Sequence, residues 1–98
     1  MSLFNEAQII KTDDLISMMK LYPKCEEMAN EFLSRFLDND FGTAEDYGDI
    51  DNAWALENEE PLYGAYDTPL GIFIIEGSCI KKGTYDLIRM DIAIQEAS

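Results

Sequence analysis

The chain has 98 residues, of which 47% are hydrophobic and 28% are charged, and its formal net charge is −13. This composition predicts one globular domain, residues 1–98, and excludes a disordered chain. Direct binding of DNA or RNA is disfavoured, because that affinity depends on Lys and Arg side chains at the phosphates.

The first third of the chain predicts two helices after a short apolar patch at residues 7–10. Thr12 is a typical helix N-cap, and the two acidic residues after it favour a helix that runs to about Leu21. Pro23 suits the start of a second helix. That helix is expected to end near Asp38, because apolar residues recur along it at spacings of three and four.

The middle of the chain concentrates the negative charge, with eleven acidic residues and no basic residue in residues 36–80. We call residues 38–60 the acidic segment. A turn-rich part, Asn39–Gly48, is expected to precede a short helix with Asp49 at its N-cap. The acidic side chains of that helix would face solvent, because its apolar side would face the body of the protein. The expected inward side consists of Ile50, Ala53, Trp54 and Leu56.

The last third predicts three strands. Leu62–Asp67 and Ile72–Glu76 are joined by Thr68-Pro69-Leu70-Gly71, a typical hairpin turn. The second of these strands has no polar face, which predicts a central strand covered on both sides. After a connection at Gly77–Gly83, strict alternation over Ile88–Ile94 predicts a half-buried third strand. The predicted fold is α+β, with N-terminal helices packed on a small, mainly antiparallel sheet in a two-layer single domain.

The cysteines and the apolar runs indicate the cellular compartment in which the protein is expected. Cys25 and Cys79 are the only cysteines, and they form neither a disulfide framework nor a metal-ligand spacing. The chain does not open with a signal-peptide pattern, and its longest wholly apolar run, Ile72–Ile75, is too short to span a bilayer. These features predict a cytoplasmic protein with reduced thiols and no membrane contact.

The residue content argues against catalysis and against a bound cofactor or metal. The chain has no histidine, which is the commonest general acid or base, and an open acidic segment gives no carboxyl group a reason for a raised pKa. The start at Asp38 resembles an EF-hand loop, but Thr43 and Asp49 stand where that pattern needs Gly and Glu. A nonstandard Ca²⁺ or Mg²⁺ site is kept as an alternative, with the ligands Asp38, Asp40, Glu45 and Asp49.

Five short segments, in order, resemble a group of small bacterial proteins labelled plasmid-related. In that group the segments read GQIVATPGAL, GDWG, N…AL, LLSAY and WIITE. The counterparts here are AQIIKTDDLI, Asn39–Gly42, Asn52–Leu56, Leu62–Tyr66 and Ile72–Glu76. The chain departs from the group by lacking basic residues around the acidic turn and by its ending after Glu76. The resemblance implies a compact α+β fold and carriage on a plasmid, phage or integrated element, and it implies no activity and no functional residues.

The charge pattern and this resemblance lead to one functional hypothesis and one alternative. The hypothesis is a non-enzymatic phage or plasmid protein that inhibits a nucleic-acid-handling host defence protein, such as a CRISPR or restriction nuclease. Its DNA-mimic-like acidic surface would occupy a basic site of that protein. The alternative is a protein–protein interaction or self-associating accessory protein, for example a homodimer through the edge of the Ile88–Ile94 strand, whose acidity only confers solubility. The expected partner-binding residues are Asp38, Asp40, Glu45, Asp46, Asp49, Asp51, Trp54, Glu57, Glu59 and Glu60.

Overall fold

The computed structural model describes residues 7–46, 51–58, 60–81 and 84–93, and its fold is α+β as predicted. Within these ranges, three helices pack against a four-stranded sheet around one hydrophobic core. No helix within the described ranges combines the length and the apolar character that crossing a membrane requires.

The first two helices are confirmed close to their predicted ends. Helix α1 (Asp13–Leu21) begins after Thr12, whose Oγ1 accepts the N–H of Leu15 at 3.3 Å. Helix α2 (Pro23–Leu37) has its proline in the first turn, where the missing N–H has no helical partner to lose. Both helices therefore begin where local chemistry requires it.

The third helix, α3 (Asn52–Asn58), follows a short 3-10 turn at Ala44–Asp46. The predicted N-cap, Asp49, lies outside the described residues. Asp51 provides a cap instead, because its Oδ1 accepts the N–H of Trp54 at 3.0 Å.

The predicted inward side of α3 was wrong for Ala53 and Trp54, and it holds for Leu56, which packs against the core. The side chain of Trp54 is 53% exposed and Ala53 is also exposed, whereas Asn52 and Ala55 are buried and Leu56 is half-buried. The reason is a tertiary hydrogen bond: the buried amide of Asn52 binds the sheet and sets the rotation of the helix. Ile50, the remaining member of the predicted side, lies outside the described residues.

The described residues form a sheet of four strands in the order β1-β4-β3-β2, and the strand that was not predicted comes before the helices. This strand, β1 (Gln8–Lys11), pairs in parallel with β4 (Thr84–Ala93). The other pairs, β2 (Leu62–Thr68) with β3 (Gly71–Lys81) and β3 with β4, are antiparallel. The prediction of an exposed edge on the last strand was wrong, because β1 and β3 flank β4 and the edges are β1 and β2.

The second hairpin is longer than predicted. The connection expected at Gly77–Gly83 was wrong over its first five residues, because β3 continues to Lys81 and pairs with β4 there. Register irregularities between Ser78 and Lys81 accompany the small and polar residues that hide this strand in the sequence. The predicted first turn is confirmed, and Thr68 Oγ1 accepts the N–H groups of Leu70 and Gly71, each at 3.1 Å.

The core fills the space between the helices and one face of the sheet. In β3, Phe73 and Ile75 are fully buried, whereas Ile72 and Ile74 on the opposite face are only half-buried. The central position of this strand is confirmed, and its complete cover on both faces is not. The largest fully buried core side chains are Phe36, Phe73, Leu15, Leu62, Ile75, Ile88, Met90 and Cys25.

Cys25 is a free thiol inside this core. Burial raises the pKa of the Cys25 thiol, because the thiolate would lose its water. The thiol therefore packs as a small apolar group. The side chain of Cys79 lies outside the described part of the chain.

Candidate partner-binding surface

The acidic segment is hydrogen-bonded along the outer edge of β2. The Thr43 N–H donates to the Ala65 carbonyl at 2.8 Å, and the Ala65 N–H donates to the Phe41 carbonyl at 3.1 Å. These two bonds make a short parallel bridge centred on Gly42 and Ala65. The turn that carries the acidic residues is therefore held by the sheet.

Asn52 makes the second attachment to the same edge. Its Nδ2 donates to the Tyr63 carbonyl at 2.8 Å, and its Oδ1 accepts the Tyr63 N–H at 3.0 Å. The side-chain amide thereby replaces the peptide group of a neighbouring strand. Asn52 is 3% exposed, so both bonds are shielded from water. This pairing explains why the Asn52–Leu56 segment needs an asparagine at its first position.

Replacing Asn52 tests that attachment. We expect Asn52→Ala to lower the free energy of unfolding by about 2 kcal/mol, because it leaves the Tyr63 N–H and carbonyl without partners. The matched control is Asn58→Ala, which removes a single exposed bond to the Trp54 carbonyl and is expected to cost about 0.5 kcal/mol or less. Urea unfolding of both variants measures the difference. Equal losses would show that the Asn52 amide does not hold α3 on the sheet.

Asp40 differs from the other carboxylates of the segment, because it is paired inside the protein. Its Oδ2 accepts the Arg35 Nε–H at 2.7 Å, and its Oδ1 accepts the Gly42 N–H at 3.2 Å. The hydrogen bond from Arg35, followed by that from the Gly42 N–H, holds the pKa of Asp40 below its usual value. Asp40 therefore closes the turn at the end of α2, and Arg35 compensates part of its charge.

Aromatic rings pack against the arginine of this ion pair. The Arg35 guanidinium lies 5.1 Å from the ring centroid of Tyr66, which stacks on Phe32 at a centroid distance of 4.7 Å. The Tyr66 hydroxyl donates to the Asp40 carbonyl at 2.6 Å. Burial raises the pKa of Tyr66, so this hydroxyl keeps its proton at neutral pH. The acidic turn is thus fixed by groups from α2 and β2.

The lowered pKa of Asp40 predicts a pH-dependent contribution to stability. A carboxyl group with a lowered folded-state pKa stabilises the protein above its unfolded-state pKa, about 3.9, and this contribution disappears as the pH falls through the folded-state value. We therefore expect Asp40→Asn to lower the urea midpoint at pH 6, and the difference from the unsubstituted protein to shrink steadily below pH 4. Asp46→Asn is the control. A difference that stays constant from pH 6 to pH 3 would contradict the ion pair.

Most other carboxylates of the acidic segment are exposed and unpaired. Asp38, Asp46, Glu57 and Glu60 face solvent, and none of them forms an ion pair within the described residues. Asp51 is exposed as well, with one oxygen used to cap α3. The placement of Asp49 and Glu59 and the side chain of Glu45 lie outside the described part. Five of the ten predicted site residues are therefore exposed carboxylates without an ion pair among the described residues, and Asp40 is not one of them.

Trp54 lines a cleft together with two of these carboxylates, Asp51 and Glu60. The cleft has a volume of about 240 Å³ and lies between α3 and the start of β2. Burial, together with the carboxylate of Glu76, raises the pKa of Tyr63, so its hydroxyl is neutral at physiological pH. The cleft therefore combines aromatic surface with carboxylates, a combination that suits a cationic side chain. Its lining consists of Asp51, Asn52, Trp54, Ala55, Glu60, Pro61 and Tyr63.

A wider groove of about 640 Å³ lies at the other end of β2, between the start of α2 and the β2–β3 turn. Tyr22, Met28 and Leu70 give it apolar walls, and Glu27 and Glu31 also line it. It shares no residue with the cleft at Trp54. The structure thus separates an apolar groove from the aromatic and acidic cleft.

No metal site emerges in the part of the chain that the structure describes. Within the described residues, no three His, Cys, Asp or Glu side chains are grouped so that they could hold a metal ion. Tyr63 and Arg35 were not predicted as members of the site. Arg35 had a detectable signal, because it is a basic residue one turn from the end of a helix and five residues before an acidic residue. Searches with protein-family models, against curated proteins and against solved structures found no match.

Proposed function

We propose that this protein is a non-enzymatic binding protein whose acidic segment occupies a basic surface of a partner protein. The single observation that carries the proposal is an exposed Trp54 in a cleft that it shares with the exposed carboxylates Asp51 and Glu60, neither of which forms an ion pair among the described residues. A surface of this kind is complementary to Lys and Arg side chains and is repelled by phosphates.

Charge supplies the long-range part of such binding. Residues 36–80 carry eleven acidic residues against no basic one, and a basic groove built for nucleic acid gains most of its affinity by neutralising about 6–10 phosphates. Carboxylates fixed on a sheet edge replace those phosphates without a large entropy cost, because the turn and α3 are already hydrogen-bonded to β2. We expect fast association that weakens as salt is added.

Trp54 supplies the short-range part. A large aromatic side chain that is 53% exposed loses water contact when a partner covers it, and Trp is among the residues most enriched at energetic hot spots of interfaces. The adjoining cleft accepts a Lys or Arg side chain, which the indole attracts through its ring face and the carboxylates attract through their charge. The partner is therefore expected to insert a basic side chain beside Trp54.

The partner class follows from the resemblance to plasmid-related proteins. A mobile element benefits from blocking host nucleases, and those enzymes carry basic nucleic-acid grooves. We therefore infer an inhibitor of the anti-CRISPR or anti-restriction type that acts in the cytoplasm. The second candidate is an accessory protein that binds another protein or itself, with its acidity serving solubility, and the apolar groove beside α2 is the observation that favours it.

A matched pair of variants tests the proposal. The first variant neutralises the surface by Asp46→Asn, Glu57→Gln and Glu60→Gln. The control removes the same charge from exposed positions of α2 by Glu26→Gln, Glu27→Gln and Glu31→Gln. Each variant is titrated into a CRISPR nuclease and a restriction nuclease, and its competition with DNA is measured at 50 mM and 200 mM salt.

The outcomes of this experiment distinguish a local acidic site from a general effect of net charge. Competition with DNA that falls at least tenfold for the surface variant and little for the α2 control would support an acidic site around α3. Equal weakening by both variants would indicate a nonspecific effect of net charge. Affinity that changes with neither substitution nor salt would exclude the acidic surface as the binding site.

A further inference from the structure

The two edges of the sheet differ in whether their outward backbone groups have hydrogen-bond partners. On β2, Asn52 occupies the outward backbone groups of Tyr63, and residues 41–43 occupy those of Ala65. On β1, all four residues are exposed, and nothing in the described ranges pairs with the outer side of that strand. An open strand edge is a template for pairing with another strand.

Hydrogen bonding to β4 determines which groups of β1 point outward. The Thr12 N–H donates to the Met90 carbonyl at 3.0 Å, which fixes the phase of the parallel ladder. Every second residue of a strand bonds to the same neighbour, so Ile10 also points its backbone groups toward β4. The N–H and carbonyl groups of Ile9 and Lys11 are therefore directed away from the sheet.

Exposed isoleucines accompany this open edge. Ile9 is 44% exposed and Ile10 is 42% exposed, and they stand on opposite faces of β1. Ile9 shares a face with its partner Ile88, which is buried beneath the helices. On α1, Ile16 is 39% exposed. The edge thus offers apolar side chains on both faces in addition to backbone donors and acceptors.

We propose that β1 is the dimer interface, where it pairs antiparallel with β1 of a second copy across a twofold axis. The outward residues of one strand face those of the other, so Ile9 lies opposite Ile9 or opposite Lys11 of the second copy. Lys11 opposite Lys11 is disfavoured, because like charges directly across a strand pair repel. The product is one continuous eight-stranded sheet.

The charge distribution favours the β1 edge as the surface that meets a second copy of this acidic chain. Residues 1–35 carry six acidic and four basic residues, whereas the acidic segment is attached to β2 at the opposite edge. Strands lie about 4.8 Å apart, so the two β2 strands of the dimer would be roughly 34 Å from each other. That distance is about four Debye lengths at physiological salt, and repulsion between the two acidic segments is largely screened.

This geometry gives the dimer a defined shape with two equivalent acidic surfaces. They lie at the far ends of the continuous sheet and face away from each other. The inference does not depend on partner binding through the acidic segment, since the β1 edge and the β2 edge share no residue. A dimer is expected even where no partner is bound.

Sedimentation equilibrium of the full chain over a range of concentrations tests the proposal. We expect the unsubstituted protein to dimerise and Ile9→Lys to weaken dimerisation at least tenfold, because in either register it places a lysine directly opposite a lysine of the second copy. Leu21→Lys is the matched control, since it places the same charge on an exposed apolar position, 70% exposed, at the end of α1. Its dimerisation is expected to match that of the unsubstituted protein.

Hydrogen exchange supplies the second readout and checks folding. The amide protons of Ile9 and Lys11 should become more protected as the protein concentration rises, while those of β4 stay protected at every concentration. Ile9→Thr, which keeps a strand-forming residue, replaces Ile9→Lys if the lysine variant loses protection in β4. A protein that stays monomeric at millimolar concentration, or dimerisation unaffected by the folded Ile9 variant, would overturn the proposal.

Discussion

Gly42→Ala is expected to lower the free energy of unfolding by about 3–5 kcal/mol, more than any other single change in the acidic turn. Gly42 has a φ of 62°, a conformation that costs alanine about 1–2 kcal/mol. A Cβ at this position would also stand 2.1 Å from the Ala65 carbonyl oxygen. The turn must therefore move away from β2, which breaks the bonds of Thr43 and Phe41 to Ala65.

Asn39 provides the control, because it separates backbone strain from steric overlap. It also has a positive φ, 64°, and it is exposed. Asn39→Ala is expected to cost about 1 kcal/mol and Asn39→Gly close to nothing, since only the backbone preference changes. Urea unfolding and thermal melts measure all three variants, and a loss of 3 kcal/mol corresponds to a fall in Tm of roughly 12–24 °C for a domain of this size. A Gly42→Ala variant as stable as Asn39→Ala would show that the turn adapts without leaving the sheet.

Elements whose ends depend on local chemistry were predictable from the sequence. The Thr12 cap, the proline at the start of α2 and the turn at Thr68–Gly71 all act through groups within a few residues of one another. The long apolar periodicity of α2 and the apolar run in β3 also indicated their places in the core. These elements account for both long helices and the first hairpin.

Elements that depend on contacts distant in sequence were not predictable. The four residues of β1 are too few to show a period, and their pairing with β4 closes about 79 residues of chain, as the bond from Thr12 to Asp91 shows. The end of β3 is hidden by Gly77 and Ser78, because residues of this type are typical of loops. Only pairing with β4 makes them part of a strand.

The candidate site was also predictable only in part. The concentration of acids in residues 36–80 is visible in the sequence, and the described carboxylates of the acidic segment, residues 38–60, are exposed as expected. The position of Trp54 was not predictable, because hydrophobicity alone assigns a tryptophan to the interior and does not weigh the hydrogen bonds that set the helix rotation. Asn52 decides that rotation through Tyr63, eleven residues later. Trp54, which was predicted to face inward, is therefore the exposed aromatic part of the candidate site.

The largest expected effect on binding follows from that exposed tryptophan. We expect Trp54→Ala to weaken binding of a basic partner by about 2–4 kcal/mol, a factor of roughly 30 to 800 in Kd, because a central aromatic side chain carries much of the energy of an interface. The same change should lower the free energy of unfolding by less than about 1 kcal/mol, since Trp54 is 53% exposed and outside the hydrophobic core. Calorimetric titration and urea unfolding of the same samples measure both quantities.

Conservative and matched variants identify which property of the Trp54 side chain contributes to binding of the partner. Trp54→Phe keeps an aromatic ring and should retain part of the affinity, whereas Trp54→Leu keeps apolar area but loses the attraction between a ring face and a cation. Leu21→Ala removes a more exposed apolar side chain far along the chain from α3, and it should leave binding unchanged. Trp54→Phe and Trp54→Leu variants of equal affinity would mean that the partner buries Trp54 only as apolar surface. Full affinity in Trp54→Ala would place the binding site away from α3, because no partner covering this acidic surface avoids its most exposed aromatic side chain.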